Sequence, residues 1–352
     1  MSRGATAPPG RPERWRARGP LEAHQSRRIC DVGDAEDALE ILYARGVTDG
    51  LPVVPPTPER VRAAVAASGR DGDELVGLVA PRLGRATVQK IAINAVLAGC
   101  RPEYLPAVIA GVEAICDPDF ALVGVSGTTD AVTPLLIVNG PVRQALDVNC
   151  GAGVFGAGWR ANATIGRAVR LVWANVGGAA PGVISMSTFA QPGRYSYCIG
   201  EREEASPWEP LHVEHGFAAR DSTIAALAAE APQIVVDAHH RAARDVAATI
   251  ARSAEAIASH AQGDLGDTVL VIGPEHAGTI AGDGWSKADL REFVWERARA
   301  EVDGARVPKF RTPANLHILV AGGTAGRFSA WIPGWPFPGA PSSLVLKRIV
   351  SR

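Results

Sequence analysis

Thr268–Val294 reads TVLVIGPEHAGTIAGDGWSKADLREFV. Thr268 to Ile272 is a short apolar, β-branched run bounded by Gly273-Pro274, which predicts one buried strand. Ser286 then stands as a helix cap ahead of Leu290, Phe293 and Val294, which recur at helical spacing. A strand followed by a helix is the unit of an α/β fold.

The same unit recurs on both sides. Downstream, His317 to Val320 predicts a strand that enters the glycine-rich Ala321–Gly326, and the Pro- and Trp-rich Ile332–Pro341 reads as a packed tail. Upstream, Ile234 to Val236 predicts a strand and Ala242 to His260 an amphipathic helix. Tyr195 to Ile199, Leu135 to Val138 and Leu122 to Val125 read as further strands. Ala161 to Val176 is a helix with Ile165, Val169, Val172 and Val176 on one stripe, ended by Gly177-Gly178. Two more buried helices are expected over Ala86–Cys100 and Pro102–Cys116, and a short one from Asp34. The Pro pairs in Asp49–Thr57 (DGLPVVPPT) forbid helix and predict an extended arm, wrapped on the core or on a neighbouring subunit. The expected class is therefore α/β, with largely parallel or mixed sheets flanked by helices. Two α/β portions, 34–231 and 232–352, follow a basic leader over 1–33 that holds seven arginines.

With 352 residues, 47% of them hydrophobic, the chain can bury a large core. A formal net charge of −1 argues against general nucleic-acid binding, which needs excess Lys and Arg. No apolar run reaches the ~18 residues of a membrane span. The leader lacks the apolar centre of a secretory signal. Five cysteines, none spaced as C-x-x-C, indicate neither a disulfide framework nor a zinc site, so reduced thiols in the cytoplasm are expected.

Chemistry is expected between Asn149 and Gly216. Gly151, Gly153, Gly156 and Gly158 lie directly before the Ala161–Val176 helix. The string contains G-x-G-x-x-G, but no strand precedes it and no acid follows in Leu171–Gly182, so a dinucleotide site is not supported. A glycine loop at a helix start can still seat an anion, with Arg160, Asn162 and Arg167 as its side-chain donors. Cys150 abuts the loop and is a candidate nucleophile. Glu203 and Glu204 follow a strand end, with His212 and His215 close behind, and suit proton transfer. His212, His215 and a returning Glu201 or Glu203 offer a metal-dependent hydrolase or hydratase as the alternative. His276 follows a strand, where α/β folds place ligand contacts.

Five strings, DGLPVVPPT (from Asp49), INAVLAGCRPEY (from Ile93), GWRANATIGRAVRL (from Gly158), SYCIGEREEASPWEPLH (from Ser196) and IGPEHAGTIAGDGWSKADLR (from Ile272), resemble a poorly characterised bacterial family of similar length. Members of that family are associated with small UGSC proteins, which carry a U/C-G-S-C motif. The resemblance implies a thiol or selenol partner protein, since this chain has no such motif.

The expected function is an enzyme subunit, a lyase or oxidoreductase and a homo-oligomer, that acts on a small anionic metabolite at a carbon–heteroatom bond. Its cofactor is not indicated. A non-catalytic scaffold for the thiol partner is the remaining alternative.

Overall fold

The structure, a computed structural model, describes residues 35–336 and 342–350. The basic leader expected over 1–33 lies outside the described residues. In chain order the first elements are α1 (Ala35–Ala44), α2 (Pro58–Ser68), the hairpin β1 (Leu75–Val79) and β2 (Gly84–Thr87), α3 (Val88–Ala98), α4 (Leu105–Ile115) and α5 (Leu122–Gly127). There follow β3 (Thr133–Asn139), α6 (Val142–Ala145), α7 (Arg160–Asn175), β4 (Cys198–Gly200), α8 (Leu211–Glu214), β5 (Thr223–Ala229) and β6 (Gln233–Val236). The rest are α9 (Ala243–Ala254), β7 (Thr268–Ile272), α10 (Pro274–Gly282), α11 (Lys287–Arg297), the hairpin β8 (Arg299–Val302) and β9 (Ala305–Pro308), β10 (Leu316–Val320), β11 (Phe328–Pro333) and β12 (Val345–Arg348).

Eight of these strands form two four-stranded sheets, β12-β5-β3-β4 and β10-β7-β11-β6. Each is mixed: β3 with β4 and β10 with β7 run parallel, while β5 and β11 run antiparallel to both of their neighbours. Side chains alternate between the faces of a strand, and the alternation assigns the layers. Leu135, Ile137 and Leu227 of the first sheet share one cluster with Val269, Val271, Leu319 and Ile332 of the second. The sheets therefore pack face to face. The opposite face of the first, with Leu136, Val138 and Ile224, packs on α3, α4 and α7. That of the second, with Leu270, Ile272 and Ile318, packs on α9, α10 and α11. The result is four layers, helices, sheet, sheet, helices, which is why the central strands read as unbroken apolar runs.

Helix starts follow local chemistry. Thr57, Thr87 and Ser286 each cap with their hydroxyl oxygen, and Ser286 forms a reciprocal box with Asp289. The Pro-rich arm lies on its own chain: Val54 N–H donates to the Leu97 carbonyl, and Asp49 pairs with Arg167 of α7.

Three expectations change. Leu122–Val125 is the start of α5, because Leu122, Val125 and Ser126 are buried while Val123 faces out, a helical rather than a strand pattern. The helix expected to reach His260 stops at Ala254. The chain also does not divide cleanly at 231/232, since β12 returns to pair with β5. The expected tail joins this return: Ile332 and Pro333 end β11 and Trp335 is buried, while 337–341 lie outside the described residues.

Leu319→Ala, at the seam between the sheets, should cost about 2–5 kcal/mol. Hydrogen exchange should show β5 and β7 amides losing protection together; loss confined to β7 would contradict the shared core.

Candidate functional site

The carboxyl ends of β3, β4 and β10 meet at one place. Glu201, the residue after β4, donates its N–H to the Val138 carbonyl of β3. Arg202 donates its backbone N–H to the Val320 carbonyl of β10 at 2.7 Å, and its guanidinium donates to the Gly322 carbonyl at 3.1 Å. One dipeptide thus joins both sheets where their parallel strands end.

Glu201 is fully buried. Its Oε2 accepts from Asn139 Nδ2 at 2.6 Å and from the Leu211 N–H at 2.8 Å, while Oε1 has no hydrogen-bond partner. Burial pushes the carboxyl from its ordinary 4.5 up to about 7, against the opposing pull of Lys287, Leu211 N–H and Asn139. The Asn139 Oδ1 beside it is also buried and unpartnered.

Above this acid, Arg143 is 4% exposed and organises the remaining carboxylates. It donates to the Glu201 carbonyl at 2.7 Å and grips Glu204 through both terminal nitrogens at 2.8 and 3.3 Å. Its Nε lies 3.0 Å from Glu203 Oε1, an ion-pair contact without aligned hydrogen-bond geometry. Glu203 Oε1 also accepts from the Gly140 N–H at 2.7 Å and from Asn139 Nδ2 at 3.1 Å. The hydrogen bond from Arg143 holds the half-exposed Glu204 carboxyl below its usual range. Gly140 (φ 82°) admits this geometry, because a Cβ there would lie 2.1 Å from the Asp221 carbonyl oxygen.

The expected anion seat is not formed. Arg160 directs its guanidinium at the Gly99 carbonyl, capping the C-terminal end of α3. Arg167 is committed to Asp49 and the Leu51 carbonyl. Asn162 is buried and pins the loop: it accepts from Asn149 N–H and donates to the Asn149 and Cys198 carbonyls. Gly151, Gly153, Gly156 and Gly158 shape a surface loop, with φ of 69° at Gly153 and 124° at Gly158. That loop meets the other glycine turn: Gly322 N–H donates to the Cys150 carbonyl, and a Cβ at Gly323 would stand 3.1 Å from that of Ala152.

Cys150 does reach the site, with Sγ 3.9 Å from Arg143 NH1. It is not at the helix start, which lies ten residues on at Arg160. Burial pushes its thiol up, and Arg143 offsets this only in part. His276 is a core residue of the second half, bonded to Ser329 Oγ and the Asp237 carbonyl. His212 is fully buried near the Glu201–Leu211 contact in sequence, and neither ring nitrogen has a hydrogen-bond partner. His215 packs against His317 with the rings tilted by 36° and their centroids 5.4 Å apart. Among the described residues no three His, Cys, Asp or Glu side chains are placed to share a metal ion, so the His212–His215 pair lacks a third ligand.

No protein-family model, curated protein or solved structure matches this chain. Among the described residues no helix is long and apolar enough to cross a membrane.

Sequence reading reached Glu203, Glu204 and Cys150 but ranked Glu201 only as an optional metal ligand and passed over Asn139 and Arg143. The available signal was a polar residue ending each apolar run, Asn139 after TPLLIV and Glu201 after YCIG.

A carboxyl raised from 4.5 to about 7 binds its proton more tightly folded than unfolded. Its contribution is therefore present at low pH and lost as pH rises through 7. Relative to the wild type, Glu201→Gln should gain about 3 kcal/mol between pH 4.5 and 7 and then level off, read by denaturant unfolding across pH. A flat difference would contradict the assignment.

Proposed function

We propose that this chain is an enzyme subunit that moves a proton on a small anionic metabolite, in an elimination or addition at a carbon–heteroatom bond. The observation that carries the reading is Glu201: a buried carboxyl with a free Oε1, held at about 7 where strands of both sheets end. A group that titrates near neutral pH serves as acid in one direction and base in the other. Asn139 and Leu211 N–H fix its Oε2, leaving Oε1 to face the reacting atom. Arg143 with Glu203 and Glu204 forms the wall beside it.

Substrate charge finds its partner in Arg202 rather than in Arg160 or Arg167. Its guanidinium donates to the Gly322 carbonyl, and no carboxylate among the described residues forms an ion pair with it. It is therefore the side chain at this junction available to grip a carboxylate or phosphate.

A thiol-assisted variant of the same chemistry takes its nucleophile from a partner protein, in keeping with the UGSC resemblance. Cys150 favours that arrangement, because its own thiol is held protonated by burial. The four described cysteines are unbridged, which suits a reducing cytoplasm. No cofactor is assigned.

Incubation of the purified chain with a small-molecule extract, followed by mass spectrometry, should show an anionic metabolite consumed by the wild type and spared by Glu201→Gln. Identical profiles would overturn the proposal. Once a substrate is in hand, Arg202→Met should raise KM at least tenfold and leave kcat within about threefold, the pattern of lost binding.

A further inference from the structure

Arg170 of α7 and Arg194, in the turn before β4, are neighbouring guanidiniums with no ion-pair partner among the described residues. Arg170 is 8% exposed; its Nε donates to the Arg194 carbonyl at 3.1 Å, and its NH1 is buried with no hydrogen-bond partner. Arg194 donates to Ser185 Oγ at 2.6 Å and to the Val132 and Asp130 carbonyls at 2.9 and 3.3 Å, while its Nε is likewise buried and unpartnered.

Asp49 and Asp130 attract Arg170 and Arg194 respectively, but neither forms an ion pair with them. Asp49 is taken by Arg167, and Asp130 Oδ1 accepts the Ala131 N–H. The face of Trp173, 4.3 Å from the Arg170 guanidinium carbon, supplies only a weak partial charge. Burial and mutual repulsion accordingly lower the Arg170 pKa to about 9, and burial lowers that of Arg194. Arg170 is buried and Arg194 partly buried, and each keeps a buried nitrogen without a partner, which is costly unless a ligand supplies one.

We propose that Arg170 and Arg194 form a binding site for a small oxyanion, a phosphate or a carboxylate, bridged between Arg170 NH1 and Arg194 Nε. Ser185 adds a hydroxyl to the same site. Ser185 belongs to the irregular segment between α7 and β4, which turns at Gly178 and Gly182 with φ of 79° and 70°. The site is separate from Glu201: Arg194 precedes β4, whereas Glu201 follows its carboxyl end. It stands independently of the proposed reaction.

The test is thermal unfolding of the full chain at fixed ionic strength, with chloride exchanged for inorganic phosphate in one arm and for succinate in the other. Saturating either anion to a hundred times its Kd should raise the folded-to-unfolded ratio about a hundredfold. A response to phosphate alone identifies a phosphoryl group as the ligand, and a response to succinate identifies a carboxylate. Arg170→Met should abolish the anion response while folding as well as the wild type, or better, in chloride, because it removes a buried charge with no ion-pair partner among the described residues. Arg170→Lys, which keeps the charge but loses the fork, should weaken the response at least tenfold. No anion-specific shift in either arm, or a shift retained in Arg170→Met, would overturn the site.

Discussion

The hydrogen bond from Arg202 N–H to the Val320 carbonyl joins two sheets at the ends of their parallel strands, and the candidate site depends on it. Apolar packing between the sheets is broad but non-directional. The backbone bond sets how the strand ends meet. With Arg202 fixed on one side of Glu201 and Val138 on the other, the Glu201 carboxyl has little choice but to point inward, toward Asn139 and Leu211. The second glycine turn, Gly322-Gly323, closes on Cys150 and Ala152 from the opposite sheet.

Glu201 is expensive to keep there. Its shift to about 7 corresponds to roughly 3 kcal/mol against the ionised form, a large share of the stability of an ordinary domain. Arg143 could have neutralised it but instead bonds its backbone carbonyl and spends its charge on Glu203 and Glu204. A carboxyl left unpaired beside an arginine that is fully committed elsewhere is the ground for the proposed proton transfer.

The α/β class and many of its buried elements were legible in the residues. Buried strands such as Thr268–Ile272 and the stripe of α7 follow from side-chain period alone. β5 escaped because its sequence, TIAALAA, is as good a helix as a strand; only its place between β3 and β12 decides. The strand directions were hidden too, since β12 comes from the far end of the chain. Arg160, Arg167 and Asn162 have the composition of an anion seat, but their partners, Gly99, Asp49 and Asn149, are set by tertiary contacts that no local pattern records. Arg170, one turn beyond Arg167 on the same helix, keeps a buried NH1 without a hydrogen-bond partner.

The most direct test is the titration of the Glu201 carboxyl itself. Carbon-13 NMR of protein labelled at the glutamate side-chain carboxyls, with the signal assigned by its loss in Glu201→Gln, should give a midpoint close to 7. A midpoint in the ordinary range near 4.5 would show a solvated, structural carboxylate and contradict the account.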